Sequence, residues 1–294
     1  MSTQDSDERG LADADVESFR AEVFSRTDLP TIPVVLGRIL AVVEGERTSA
    51  RDLVEIIEHD QALTGRVLKL ANSALFGMSR KVAAVPRAVI LVGFTTVRNL
   101  ALGVKVWDAL TVGACQREMV EALWQHSALV AAAAKLVAGR IQGVDPDVSF
   151  TAGLLHDVGK LVLSIKFGMR YWNLVGEVDG CWGVDVIERE QLGVDHGQVG
   201  GWLLEAWRLP VEIVAAIRDH HRHLGDSVEW SPASVLCVAD RLVRGTDLAT
   251  GEQGPLAKEV LAHTEPHGLT AEIWGETLSL LKVEADAVGG LFKE

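Results

Sequence analysis

The chain has little of what several broad protein classes require. Its three cysteines, Cys115, Cys181 and Cys237, are an odd number, far apart and without a CxxC pair. A disulfide framework or a cysteine zinc site therefore has no support, and a reduced compartment fits. Positive charge is in deficit, with 28 Lys and Arg against 41 Asp and Glu and a formal net charge of −13. That field opposes the phosphates of nucleic acids and anionic lipid surfaces, which excludes a general nucleic-acid binder. Thr95 to Leu102 after Gly93 imitates a helix-turn-helix, but no Lys/Arg-rich recognition face accompanies it. Met1 to about Arg20 is polar and acidic, without the basic start and apolar core of a signal peptide. No apolar run is read as approaching the roughly 20 residues of a membrane helix. Sustained period-2 alternation between hairpin turns is missing, as are internal repeats and low-complexity tracts. The expectation is a soluble, cytoplasmic, all-α protein, and 294 residues at 48% hydrophobic suffice for one large core or two modest ones.

What is present is helical period. Residues 1–24 read as a mobile leader, with helical character near Val16-Glu17-Ser18-Phe19. Leu29-Pro30-Thr31-Ile32-Pro33 is an extended entry, because each proline disfavours helix in the residue before it. Val34, Leu36, Ile39, Leu40 and Val43 then recur at helical spacing up to Gly45. Ser49-Ala50-Arg51-Asp52 reads as a capping box, Asp60 as the cap of the next helix, and Pro86 as a first-turn residue. Asn72 and Ser73 read as a cap or turn. A helix from Thr95 to about Leu110 is followed by one from Gln116 to Gly139, in which Ala131 to Ala134 mark a place for close backbone approach. Phe150 to Lys166, a helix starting near His196, Glu212 to His221, Ser231 to Gly245 and Leu269 to Leu281 complete the helices, with Thr246 to about Leu256 an exposed loop. The domain reading is a leader over 1–24, a domain over 25–245 in two parts (25–115 and 116–245), and a C-terminal helical extension over 246–294.

Gly153-Leu154-Leu155-His156-Asp157-Val158-Gly159-Lys160 is the most informative segment. A histidine and an aspartate stand side by side in apolar surroundings, where unpartnered polar groups are costly. On a regular helix they point to adjacent sectors, about 100° apart. His126, His196, His220, His221 and Asp240 sit in similar amphipathic stretches, so seven imidazoles and carboxylates are available on five expected helices. Three or four converging ligands of these types suit zinc, iron or manganese. Against this stands a plainer reading, in which a backbone carbonyl satisfies each buried histidine and helix amides satisfy each aspartate. His59, His223, His263 and His267 read as surface or local hydrogen-bonding residues, and Trp124, Trp202 and Trp207 as core.

The order His, His-Asp, His, His-His, Asp resembles the HD superfamily of metal-dependent phosphohydrolases. More specifically the chain is similar to the HD-related output domain (HDOD) family, through Leu29-Pro30-Thr31-Ile32-Pro33, Asp60-Gln61-Ala62-Leu63-Thr64-Gly65-Arg66, Ala71-Asn72-Ser73-Ala74-Leu75-Phe76-Gly77, Gly193-Val194-Asp195-His196-Gly197 and Trp207-Arg208-Leu209-Pro210 ahead of His220-His221. The resemblance spans roughly Ala21 to Leu242. It implies a helical bundle in which an HD-like part follows an HDOD-type N-terminal helical subdomain. It also implies a bacterial regulatory module without shown catalysis, of a kind often attached to receiver, GGDEF or EAL domains, none of which is read in this chain. Partners would then be proteins of two-component or cyclic-di-GMP signalling. It implies one or two divalent ions (Fe, Mn or Zn) on His126, His156, Asp157, His196, His220, His221 and Asp240, with Lys160 as the candidate phosphate contact. The alternative it carries is a metal-dependent phosphohydrolase acting on a nucleotide or cyclic dinucleotide. Two features of the related HD-GYP phosphodiesterases are missing. Their glutamate four residues before the first histidine is Ala122 here, and Arg222-His223-Leu224-Gly225 follows His220-His221 in place of a Gly-Tyr-Pro signature.

Overall fold

The computed structural model describes residues 16, 18–21, 32–44, 49–73, 76, 81–111, 117–176, 183–221 and 228–288. Most of the leader, Leu29 to Thr31, Gly45, Gly77 and the segment after His221 that includes His223 lie outside these. Among the described residues the class is all-α, and the only β feature is an isolated bridge between Thr246 and Gln253.

Five helices form the N-terminal part: α1 (Val34–Glu44), α2 (Ala50–Glu58), α3 (Gln61–Ala71), α4 (Val85–Leu91) and α5 (Phe94–Thr111). Their starts follow the local chemistry. The Ser49 backbone N–H donates to the Asp52 carboxylate at 2.7 Å, Asp60 accepts from the Leu63 N–H at 3.0 Å, and Pro86 occupies the first turn of α4. α1 and α3 lie on α5, burying Leu36, Ile39, Leu63 and Val67 completely. Asn72 does more than end α3. Its amide exchanges both hydrogen bonds with the Val82 backbone, at 2.6 and 2.7 Å, and so ties together the two ends of the connection to α4.

The second part is built around α7 (Pro146–Leu155), which touches α5, α6 (Arg117–Ala138), α12 (Val211–Arg218) and α13 (Pro232–Arg244). Pro146 starts α7 and Asp145 caps it, accepting from the Asp147 and Val148 N–H groups. The alanine stretch of α6 is where α7 comes closest: a Cβ on Gly153 would stand 2.6 Å from Ala131 Cα. α8 (Val158–Phe167) follows α7 directly, then α9 (Met169–Gly176), α10 (Val184–Leu192) and α11 (His196–Ala206), which lies across α8. α14 (Pro255–Thr264) and α15 (Ala271–Val288) pack on α13 and α6 respectively. Phe19, in a short helical stretch at 18–21, stacks on Phe167 with ring centroids 6.3 Å apart.

Four expectations need correction. The helix read through Phe150 to Lys166 is two helices, broken at the His156-Asp157 doublet. His220 and His221 fall beyond the end of α12, in a turn, and not inside the helix. Residues 255–264 form a helix where the Gly- and Pro-bearing sequence had suggested loop up to Leu256, because Pro255 stands in its first turn. Finally, the α7–α8 run Pro146–Phe167 is long and apolar enough to cross a membrane by length and composition, an 18-residue window of it having a mean hydropathy of 1.3. It is 83% buried within the protein, which is the position of a core element.

Candidate metal centre

The break between α7 and α8 exposes the carbonyls that a continuing helix would have used, and two side chains take them. His156 Nδ1 donates to Gly153 O at 2.8 Å, and the Trp107 indole donates to Leu154 O at 2.8 Å. In the neutral ring, a donating Nδ1 leaves the lone pair on Nε2. Asp157 stands at the N-cap of α8 but its carboxylate does not cap, and it turns instead toward the site.

A second element is brought in by the absence of a side chain. A Cβ on Gly159 would lie 1.8 Å from His196 O, so only glycine lets α11 approach this closely. Asp195 caps α11 with Gln198 in a reciprocal capping box, which puts His196 in the first turn facing the doublet. His196 Nδ1 is 2.6 Å from Glu188 Oε2 on α10, and Glu188 Oε1 accepts from the Tyr171 hydroxyl at 2.6 Å. His220 repeats the arrangement of His156, with Nδ1 donating to Ile217 O at 2.6 Å. His126 comes from α6 and Asp240 from α13.

The ligand atoms converge in two groups. His126 Nε2 lies 2.8 Å from Asp240 Oδ1 and 4.0 Å from Asp157 Oδ2, and His156 Nε2 lies 3.6 Å from Asp240 Oδ1 and 3.4 Å from Asp157 Oδ2. His196, His220 and His221 form the other group, with the Nε2 atoms of His196 and His221 2.8 Å apart. Asp157 links the two, since its Oδ1 is 3.1 Å from His196 Nε2 in a contact that falls short of hydrogen-bond geometry. Lys160 Nζ donates to Asp157 Oδ2 at 2.8 Å, and Arg244 Nε donates to Asp240 Oδ1 at 2.7 Å.

Burial and these charges set the protonation states. Burial, with Arg244 beside it, drives His126 down to about 4. Burial and the neighbouring histidines hold His220 and His221 well below the usual imidazole range, so both rings are neutral, the form that could ligate an ion. Burial also works against charge on His196, but Glu188 and Asp157 together outweigh it and His196 is raised to about 9. Its proton must leave when an ion enters. Asp157 and Asp240 are buried, which alone would raise them, yet their cationic and imidazole neighbours hold both well below the ordinary carboxylate range.

All seven sequence candidates are therefore brought to one place. Lys160 is placed there too, but as a buried ion-pair partner of Asp157 and not as a solvated group at the rim. His59 is exposed and His263 and His267 lie partly exposed elsewhere. Sequence reasoning missed Glu188, Tyr171 and Arg244. Glu188 is completely buried, eight residues before His196, in a stretch whose amphipathic pattern looks like an ordinary surface helix. Arg244 lies one turn after Asp240, and that spacing was the available signal. The plainer reading of satisfied core histidines accounts for one nitrogen each of His156 and His220. It leaves His156 Nε2, His220 Nε2 and Asp157 Oδ1 buried without a hydrogen-bond partner. Unsatisfied buried polar atoms are rare, and three of them pointing into one cluster of metal-ligand types fit a divalent ion. Outside the cluster a cavity of about 270 Å³ opens, its wall including Lys160, Arg189, His196, His221, Arg241 and Arg244.

A family model for the HDOD domain matches residues 29–223. The chain belongs to the HDOD family. An uncharacterized protein of Treponema pallidum (strain Nichols) is 28% identical over 225 residues, covering 75% of this chain and 43% of that protein, so the chain spans less than half the length of this relative. Among solved structures, an HDOD domain protein of unknown function from Geobacter sulfurreducens has a TM-score of 0.65 at 24% identity, covering 94% of this chain and 97% of that one. A Shewanella amazonensis SB2B protein provisionally named a metal-dependent phosphohydrolase has a TM-score of 0.69 at 23% identity, covering 97% and 99%. A Marinobacter aquaeolei VT8 protein provisionally named a signal transduction protein has a TM-score of 0.69 at 23% identity, covering 97% and 66%. At these identities the likeness shows a shared HDOD fold.

Proposed function

We propose that this HDOD chain is a bacterial signalling module whose HD-type pocket holds a divalent metal ion and receives a phosphate-bearing ligand, acting through binding. The observation that carries this reading is the trio of buried ligand atoms without a hydrogen-bond partner, His156 Nε2, Asp157 Oδ1 and His220 Nε2, beside a cavity whose wall holds Lys160, Arg189, Arg241 and Arg244 together with Asp185 and Asp240. Imidazole and carboxylate donors suit iron, manganese or zinc. The lysine and arginine groups of that wall suit a phosphate, with Lys160, which lines the cavity, as the candidate contact. Regulation in place of turnover is supported by the family's character and by Ala122, which offers no ligand where the related phosphodiesterases have glutamate. Its partners on this reading are cytoplasmic proteins of two-component or cyclic-di-GMP signalling, with no role for nucleic acid or membrane.

The test is elemental analysis of the full chain purified without chelator, followed by calorimetric titration with inorganic phosphate. Bound iron, manganese or zinc, and phosphate affinity that falls in Lys160→Gln, are the expected results. A protein without these metals that also fails to take them up when they are added would sink the reading.

Retention of all seven ligand candidates together with Lys160 favours a second reading, hydrolysis of a phosphate ester. A bound ion would supply Lewis acidity and an acidified water. Lys160 and Arg244 would then hold phosphate oxygens, and Glu188 would fix the orientation of His196. Metal-dependent release of phosphate from nucleotides or opening of a cyclic dinucleotide, lost in Asp157→Asn, would select this reading over the first.

A further inference from the structure

The two ligand groups differ in how their carboxylate oxygens are occupied. In the group of His126, His156, Asp157 and Asp240, both oxygens facing the histidines already accept from a side-chain cation. Lys160 Nζ sits on Asp157 Oδ2 at 2.8 Å, and Arg244 Nε sits on Asp240 Oδ1 at 2.7 Å. Arg244 also reaches across to Asp157 Oδ2 at 3.5 Å, so one guanidinium spans both carboxylates. Two carboxylates thus face two cations before any metal arrives. Arg244 keeps its charge at any pH the fold survives, and its side chain is only 13% exposed, which limits its retreat into water. In the group of His196, His220 and His221 the nearby carboxylate oxygen is Asp157 Oδ1, and no hydrogen bond satisfies it. His220 Nε2 beside it is equally without a partner.

Resting on the metal reading above, we infer that the ion is held first by His196, His220, His221 and Asp157 Oδ1, and that Arg244 and Lys160 act as tethered counter-cations closing the His126–His156–Asp157–Asp240 group to a second ion. The doublet that marks the pocket then serves the three-histidine side through one oxygen of Asp157, while its other oxygen is neutralised from within the fold. A divalent ion entering the four-residue group would sit among ligands whose negative charge is already spent, against the like charge of a guanidinium that cannot leave. The three-histidine group carries no such fixed charge on its oxygen.

The inference is tested on the full chain, stripped with chelator, reloaded with cobalt(II), desalted and measured by elemental analysis. Wild type is expected to hold one equivalent. His221→Ala is expected to lose it and His126→Ala to keep it. Arg244→Gln, which removes the charge but retains an amide donor, is expected to take up a second equivalent that is lost again when combined with His126→Ala. Circular dichroism establishes that each variant is folded, and Lys160→Gln replaces Arg244→Gln should the latter unfold. Two equivalents in wild type, or a single ion lost in His126→Ala and kept in His221→Ala, would overturn the order of filling. One equivalent in both wild type and the charge-removing variant would overturn the role of the counter-cations while leaving the metal reading intact. No cobalt in any form would remove the metal reading, and this inference with it.

Discussion

His156 and His196 present the same ring nitrogen to the centre by different means. His156 gives Nδ1 to a carbonyl three residues away, a contact made by the local turn, whereas His196 gives it to Glu188, which Tyr171 holds in place. A carboxylate on the far nitrogen raises the basicity of a ligand imidazole and fixes its tautomer. Glu188→Gln is therefore expected to bring His196 down from about 9 toward the ordinary imidazole range, as followed by the ring proton resonances in a pH titration. The same variant should weaken metal binding by about 10- to 100-fold, measured by competition with a chromogenic chelator. An unchanged titration would show that Glu188 does not set the state of His196. Far from the centre, Asp60 gives a cleaner handle on stability. Burial works against its charge, but the Lys105 ammonium and the Leu63 N–H prevail and lower it below 3.8. A carboxylate with a depressed folded value contributes stability that is present above the unfolded value and lost as pH falls through the folded one. Asp60→Asn should accordingly cost stability at neutral pH and flatten the loss of stability between about pH 5 and about pH 2, as read by urea unfolding; parallel profiles for both proteins would count against it.

At the level of elements, the centre depends on how close α8 and α11 come. Gly159→Ala would push a methyl into the His196 carbonyl, and since the neighbour is backbone, the helices must part. We expect a loss of about 3 kcal/mol or more, measured by chemical denaturation, together with loss of metal uptake even though every ligand is retained. Retained affinity in a folded Gly159→Ala would mean that α11 is not held by this contact. This scale also shows what was legible in the sequence. The helices with strong caps, such as those begun by Ser49, Asp60 and Ser231, could be read from spacing, because a cap is a local event. The alanine stretch at Ala131 to Ala134 announced a close neighbour, and Gly153 is that neighbour. The break at the doublet was hidden because Val158 to Phe167 continues the apolar pattern of Pro146 to Leu155 without a proline, and its glycine, Gly159, falls inside the second helix. Its cause is tertiary: Trp107 and the His156 ring take the released carbonyls. Glu188 and Arg244 were hidden for a similar reason, since a lone charge on an amphipathic helix looks solvated until the packing shows that it faces inward.

For the whole molecule, ion binding on the proposed metal reading is coupled to folding, because candidate ligands from five separated stretches between His126 and Asp240 must come together. An ion that binds only the folded chain stabilises it, by about 2.7 kcal/mol at a free concentration 100 times Kd. Thermal unfolding of chelator-stripped protein is expected at a lower temperature than that of reloaded protein, with the gap rising as metal is added. Identical transitions would mean that the centre does not bind in the folded state. The net charge of −13 surrounds this cationic pocket with a field that favours divalent cations over anionic polymers, so duplex DNA is expected to show no salt-dependent binding. One further consequence is optical. Trp107 and Trp124, packed edge to face at 5.1 Å and both buried, stand next to the first ligand group, one donating to the carbonyl before the doublet and the other two residues ahead of His126. A paramagnetic ion entering that group, as expected in Arg244→Gln and not in the wild type, should quench their emission, so the two rings report without any added label whether the counter-cations keep a second ion out.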